Sequence, residues 1–438
     1  MDKPAGSADE SRLYSAISWR ILPLLFMVYG LGYIDRVNVS FAQLSMRDSL
    51  HFDDQIYGFG AGILFVGYFL FEIPSNLILT RIGARLMLSM IMAFWGIASA
   101  CTAFIDSPSQ FYVIRFLIGV FEAGLFPGIV FYLGHWYPAN RKARILALLL
   151  ISGLAASVMS GPVSGAILQY WRNVQGLENW QWLFILEGLP SLAFAGILFL
   201  TLCDHPRDAG WLNESDVASI ESAIHADDRQ KADLNQQVPS VFGDPTVYLL
   251  AVGLFAVLSG YYAVTFWMPG IIASRGVTDM VSVGTLTIIP NVVAGLAMIL
   301  NSRHSDKTGE RRYHFMVPLM IGATGLLLSI STDDLAVTLF AFSVAFSGVM
   351  SAFPIFWAIA TDYLSMRSAA VGIAFINSLG AISGFVSPYV VGSIKKGTGS
   401  FFMAFLLVAI VMIIGALVLL IARRNRPTAA LDDAQPSA

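Results

Sequence analysis

The stretch GYIDRVNVSF sets Asp35 beside Arg36 inside an apolar run that begins at Ile21. A second pair, Arg115 and Glu122, lies seven residues apart in RFLIGVFEAGLFPG, and Glu72 and Glu187 stand in equally apolar surroundings. A charge at mid-membrane costs about 2.5–3.5 kcal/mol even on the lenient insertion scale, so such residues need partners or a task. Adjacent residues on a helix point about 100° apart, so Asp35 and Arg36 must each find a counter-charge elsewhere. Arg115 and Glu122 share a face but are separated by about 10 Å along the axis. Arg115 is therefore free to lean toward Glu122 or to reach across to Asp35. Burial disfavours an ionised carboxyl and a nearby arginine favours it. Two acids and two arginines whose pairings exchange can thus load a proton in one conformation and release it in another. The alternative is a static ion-pair network that only joins helices. For Glu72, beside Pro74, and for Glu187 that alternative is at least as good an account.

The second half of the chain has no charge deep in its apolar runs. It places uncharged polar and aromatic groups there instead: Tyr261, Tyr262, Trp267, Asn291, Trp357 and Asn377. An arginine on one side, with amides and rings on the other, suits a small organic carboxylate. Each aromatic taken singly is equally at home in ordinary helix packing.

The elements that hold these residues follow from composition. The chain is 56% hydrophobic and 13% charged over 438 residues, about half the usual charged fraction of a soluble domain. Apolar runs near 20 residues long are transmembrane helix candidates. Twelve are expected, at roughly 17–43, 57–79, 86–105, 110–136, 144–170, 180–202, 246–272, 281–300, 315–331, 335–361, 368–393 and 401–422. The expected fold class is all-α, a polytopic membrane protein. It would divide into a tail (1–16), a six-helix bundle (17–202), a polar connection (203–245), a second six-helix bundle (246–422) and a tail (423–438). With the N-terminus inside, 19 of the 26 Lys and Arg residues fall on the inner side and 5 on the outer. That bias sets both termini and the 203–245 connection in the cytoplasm. The halves echo each other: TRIGARL (Thr80 to Leu86) follows the second span and SDKTGERR (Ser305 to Arg312) the eighth, as a parallel repeat requires.

Other classes fit poorly. A net charge of −3 gives no reason to expect a nucleic-acid partner, and two cysteines make neither a disulfide framework nor a metal site. The six histidines stand at span ends or in loops, unclustered, so an enzyme's nucleophile or metal constellation is not evident. The 203–245 connection and the 423–438 tail are short for a sensor's signalling domain. The N-terminus lacks the basic-then-apolar pattern of a cleaved signal.

Taken together, the motifs resemble those of the major facilitator superfamily and, within it, the anion:cation symporter family. The resemblance covers roughly residues 17–422. It rests on Tyr33, Asp35, Arg36 and Asn38 in the first span, and on Pro74-Ser75-Asn76 ahead of the Ile82-Gly83-Ala84-Arg85 turn. It rests also on Arg115, Gly119 and Glu122 through Gly128 in the fourth span, and on Trp180 to Pro190 in the sixth. The resemblance implies a secondary transporter, not an enzyme. It would import an organic anion such as tartrate, a sugar acid or a hydroxylated aromatic acid together with a proton, occasionally sodium, across a bacterial inner membrane. No cofactor is implied beyond the coupling proton; the partners are the anion and the bilayer, and the unit is a monomer. By position, Asp35 and Glu122 are the implied proton-carrying pair, and Arg36 and Arg115 their partners, one available to the substrate. Tyr33, Asn38, Tyr68, Trp357 and Asn377 are the implied cavity positions, and Arg81, Arg85, Asp306 and Lys307 the gating loops.

The chain also departs from the pattern. Thr80 stands where the superfamily usually has an acid, although the counterpart Asp306 is present. Gly153 and Pro354 stand where sugar-acid carriers place an amide and a hydroxyl, which tilts the expectation toward a less hydroxylated or aromatic acid. MSGPVSGA (Met159 to Ala166) is similar to a Gly-Pro stretch of superfamily antiporters, but small residues there equally permit close helix packing. An uncoupled facilitator or exchanger of the same fold is the alternative function; a membrane sensor or enzyme is a remote one.

Overall fold

The computed structural model describes residues 6–233, 241–364 and 369–421, and nearly all of them are helical. In chain order the helices are α1 (Gly6–Val37), α2 (Val39–Leu50), α3 (Asp54–Ile82), α4 (Ala84–Cys101), α5 (Pro108–Glu122), α6 (Leu125–Trp136), α7 (Ala139–Tyr170) and α8 (Asn179–Thr201). After a polar helix α9 (Glu214–Asp233) come α10 (Pro245–Ser274), α11 (Met280–Leu286), α12 (Ile288–Thr308), α13 (Arg312–Leu328) and α14 (Leu335–Tyr363). The last three are α15 (Ala369–Ala381), α16 (Ser383–Thr398) and α17 (Phe402–Ile421). Among the described residues, eleven helical stretches are long and apolar enough to cross a membrane. The ninth expected span corresponds to α13, whose 17 residues rise about 26 Å, a little short of a hydrocarbon core of about 30 Å.

Several spans are built from two helices. Asn38 separates α1 from α2, Ala123 and Gly124 separate α5 from α6, Thr287 separates α11 from α12, and Ile382 separates α15 from α16. The first two interruptions fall just past Asp35 and Arg36 and just past Glu122. Arg36 thereby lies in the last turn of α1, where the negative end of the helix dipole favours a cation. Proline inside α1, α3, α7, α8, α10, α13, α14 and α16 is tolerable because neighbouring helices and side chains satisfy the freed carbonyls.

Helical structure extends beyond the apolar runs. The expected tail 1–16 is helical from Gly6, and Arg141 fastens it through an ion pair to Glu10 at 3.1 Å and by lying over the Tyr14 ring at 4.3 Å. The polar connection contains α9, started by the Asn213 side chain accepting from the Asp216 amide at 2.7 Å, with Glu214 and Asp216 in the first turn. The 423–438 tail lies outside the described residues.

Helices before and after the 203–244 connection meet along α3 with α16, α7 with α11, and α2 with α10. The polar joins lie at mid-depth and toward the face carrying the 51–53 and 399–401 turns, here called the distal face. Gln43 Nε2 and Tyr57 Oη donate to the Phe266 carbonyl at 3.2 and 2.8 Å, and Lys395 and Lys396 pair with Asp54 and Asp53 at 3.0 and 2.8 Å. Glycines let the backbones touch: Gly161 and Gly165 on α7 face the Gly284 and Met280 carbonyls of α11. The MSGPVSGA stretch therefore packs helices.

Asp53 caps α3 by accepting from the Ile56 amide at 2.8 Å. Burial pushes its carboxyl up, but the Lys396 ammonium and that amide outweigh burial and hold it below its ordinary value. A carboxylate depressed in the folded state contributes fully above the unfolded value, near 4, and loses its contribution as pH falls through the folded one. Asp53→Asn keeps the cap but removes the charge. It is expected to cost on the order of 0–1 kcal/mol at pH 7, since the pair is half exposed, and less at pH 3, where the carboxyl is on its way to protonation in the folded state. Thermal unfolding at both values checks this; an equal loss at both would assign the effect to the cap.

Candidate functional site

The four central charges do not pair as alternatives of one another. Asp35 and Glu122 are 1% and 3% exposed, and Arg115 is fully buried. Arg36, with 29% of its side chain accessible, crosses from α1 to α5 and forms an ion pair with Glu122. Its guanidinium lies 5.7 Å from the Phe65 ring and 5.8 Å from the Tyr68 ring, both on α3. One partly accessible cation is thus held between an acid and an aromatic wall.

Asp35 turns the other way. It accepts from Trp95 Nε1, from Ser99 Oγ and, at 3.1 Å, from Asn38 Nδ2. Trp95 and Ser99 are four apart on α4 and so share one face. Among the described residues no arginine is ion-paired with Asp35. Arg115 does not complete either expected pairing: its Nε donates to the Gly60 carbonyl at 3.4 Å, and its two terminal nitrogens have no hydrogen-bond partner. A donor-only group buried without acceptors is costly, so this conformation stores an unsatisfied cation beside an acid held by neutral donors.

The remaining sequence-derived positions spread around this core. Tyr33 hydrogen-bonds Tyr261 of α10, which joins the two parts of the chain at mid-depth. Tyr261 packs on Tyr262 and Phe346 with centroids at 5.2 and 5.7 Å, and Tyr262 on Phe65 at 4.6 Å. Tyr68 lies half-buried beneath Arg36. Asn38 is fully buried against Asp35 in this conformation. Trp357 is half-buried, edge-on to Phe356 at 5.2 Å, and Asn377 is half-buried on α15. Arg81 and Lys307 are exposed. Asp306 pairs with Arg311 at 2.5 Å. Arg85 donates through Nε to the Phe199 carbonyl at 2.7 Å, and its amide donates to Asp204 at 2.8 Å.

Asp204 thereby supplies an acid to the 80–85 turn, where Thr80 had left that acid missing. It comes from the connection after α8, a distance in sequence that no local motif reveals. Trp95, Ser99, Phe65 and Gly60 were also not singled out; the i, i+4 spacing of Trp95 and Ser99 was the readable clue. The histidines, expected apart, form two pairs: His304 Nδ1 lies 2.6 Å from His314 Nε2, and the His135 and His205 rings meet at 4.7 Å. Helices α12 and α13, joined by a short turn, bring the first pair together, and Glu310 in that turn holds His314 at 2.8 Å. Among the described residues no group of three or more His, Cys, Asp or Glu side chains is arranged to hold a metal ion.

Comparison with known proteins agrees with this architecture. Residues 25–388 match the model of the Major Facilitator Superfamily. The chain is 41% identical over 389 residues to NicT of Pseudomonas putida, a protein that bears a metabolite-transport name, covering 89% of each. It is 38% identical over 420 residues to a protein of Agrobacterium vitis that bears a tartrate-transporter name, covering 96% of this chain and 93% of that one. In three dimensions it is similar to the inward open conformation of the Escherichia coli xylose transporter XylE, with a TM-score of 0.74 at 15% identity over 92% of this chain and 96% of the other. The chain belongs to the major facilitator superfamily, as a membrane transporter of the anion:cation symporter type and not an enzyme.

Proposed function

We propose that this transporter imports a small organic carboxylate together with protons, by rocking two six-helix bundles about the site around Arg36. In this reading the bundles are residues 17–202 and 246–422, α13 is the ninth of twelve spans, and the protein is a monomer in a bacterial inner membrane. The basic residues set the terminal ends in the cytoplasm and the distal face outside. The observation that carries the proposal is the division of labour between the arginines. Arg36 is accessible and already binds a carboxylate, that of Glu122, while Arg115 is sealed off with two nitrogens unsatisfied.

A substrate carboxylate competes with Glu122 for Arg36. Once displaced, a buried Glu122 is favoured to take a proton, so anion and proton load together. Asp35 carries the second proton when Arg115 and the neutral donors rearrange. One proton with a monoanion is electroneutral; two add the membrane potential, about 2.3 kcal/mol per charge per 100 mV. The rings of Phe65, Tyr68, Tyr261 and Tyr262 favour a flat or lightly hydroxylated acid. So does Gly153, whose missing Cβ leaves space that the Tyr29 ring fills, 2.8 Å from where that atom would stand. The name of the Agrobacterium relative keeps tartrate in the panel.

The test uses proteoliposomes with a pH dye inside and tartrate, aldonates and hydroxylated aromatic acids outside, with Asp35→Asn and Glu122→Gln beside the wild type. Acidification with one acid, lost in both variants, is the expected result. Labelled uptake with no proton signal, unchanged by the variants, would make the protein a facilitator or exchanger.

A further inference from the structure

A cavity at the distal face takes no part in the arrangement around Arg36. It encloses about 140 Å³, more space than one water needs. Its lining includes Gln43 and Arg47 of α2, Asp54 and Tyr57 of α3, Trp267 of α10 and Lys395 of α16. Three charges converge there. Lys395 Nζ stands 3.0 Å from Asp54 Oδ1, and Arg47 Nη1 stands 4.0 Å from the same oxygen. Among the described residues Asp54 is the only ion-pair partner of either cation. Asp53, also in the lining, is taken by Lys396 at 2.8 Å. Two cations therefore share one carboxylate, and one positive charge is left over.

Asp54 does not serve both cations equally. Lys395 donates to it, whereas the distance from Arg47 is too long for a hydrogen bond. Nη1 and Nζ are separated by no more than the sum of their distances to Oδ1. A second carboxylate can therefore lie between them and accept from both at about 2.7–2.9 Å. Such an anion completes the charge balance of the three side chains. The surroundings are aromatic. Lys395 Nζ lies 3.9 Å from the Phe401 ring and 5.6 Å from the Trp267 ring, and Tyr57 meets Trp267 edge-on at 5.1 Å. The Trp267 indole N–H is buried without an acceptor, so the lining has a donor to spare. We infer that this cavity is an outer receiving site for a small carboxylate with a flat body, in which Arg47 meets the anion and Lys395 shares it.

The site shares its residues with the joins that shut the distal face. Gln43 and Tyr57 donate to the Phe266 carbonyl, and the Asp54–Lys395 pair ties α3 to α16. An anion that draws Lys395 from Asp54 removes one of these joins. It thereby favours the open face when the acid to be admitted is present. Arg47 recruits without latching, because its partner Asp54 lies on the next helix of its own half of the chain. The receiving role rests on the import reading above, in which the distal face is outside; the anion site stands without it.

Saturation-transfer NMR on the purified Arg36→Ala, Glu122→Gln double variant, whose central site is disabled, isolates the outer one. The probes are para-hydroxybenzoate and tartrate. The expected result is weak, millimolar binding of the aromatic acid, of the strength that exposed ion pairs give. It is lost when Arg47→Gln is added and kept with Arg47→Lys. No signal with either acid overturns the site, as does a signal indifferent to Arg47→Gln. A signal abolished by equimolar chloride overturns the assignment to a carboxylate. In proteoliposomes, Arg47→Gln alone is expected to raise the KM for labelled uptake about fivefold with little change in kcat, and Arg47→Lys to restore it. An unchanged KM overturns the receiving role. A wild type that takes up no acid, with the NMR signal intact, would instead remove the import reading and leave the anion site.

Discussion

Arg36→Ala is expected to lower transport at least 100-fold and to destabilise the protein by about 3–5 kcal/mol, because it strands Glu122 as a buried charge without its partner. The two losses are separable. Adding Glu122→Gln removes the stranded charge, so the double variant should regain most of the thermal stability while transport stays absent. Arg36→Lys keeps the charge but not the planar fork that can hold Glu122 and a substrate carboxylate side by side, and should fall between them. Thermal unfolding in detergent and labelled uptake in proteoliposomes read the two quantities. An Arg36→Ala protein as stable as the wild type would show that Glu122 is content without its partner. Recovery of transport in the double variant would reduce the pair to a structural tie.

The sequence was explicit about what lies in the membrane and silent about which charge meets which. Apolar runs and basic turns follow from the bilayer's dimensions and charge bias, so the helices were legible wherever a run was long. The ends were not, because helicity continues past the apolar stretch: α1 reaches down to Gly6 and α9 forms in a polar connection. Asp35, Arg36, Arg115 and Glu122 were legible as residues out of place. Their pairing depends on how α1, α4 and α5 are rotated against one another, and a spacing along one helix carries no such information. Arg115 was free on paper to reach either acid and in the structure reaches neither. Asp35 was expected to seek an arginine and finds an indole, a hydroxyl and an amide. The indole and the hydroxyl came from α4, whose polar atoms are few and ordinary in type.

Gly58→Leu is expected to cut transport at least tenfold by holding the distal face open. A Cβ at Gly58 would stand 2.3 Å from the Pro388 carbonyl oxygen of α16, and one at Gly392 would stand 2.1 Å from the Asp54 carbonyl oxygen of α3. The obstructing atoms are backbone, so no rotamer change relieves the clash; α3 and α16 must separate. That separation would also pull Lys395 and Lys396 from Asp54 and Asp53, now 3.0 and 2.8 Å away. Overpacking of this kind costs about 1–3 kcal/mol, and each 1.4 kcal/mol shifts a two-state population about tenfold. The closed state loses ground while the open one, where these backbones no longer touch, is unaffected. Gly196→Ala is the control, since nothing lies within 4 Å of its Cβ position; it should leave transport unchanged. Gln43→Cys, in a background lacking Cys101 and Cys203, reports the distal face, because Gln43 is tied to the Phe266 carbonyl when that face is shut. Thiol labelling there should accelerate about tenfold in Gly58→Leu. Normal transport with unchanged labelling would mean that α3 and α16 can close without backbone contact, and the glycines would then be packing residues alone.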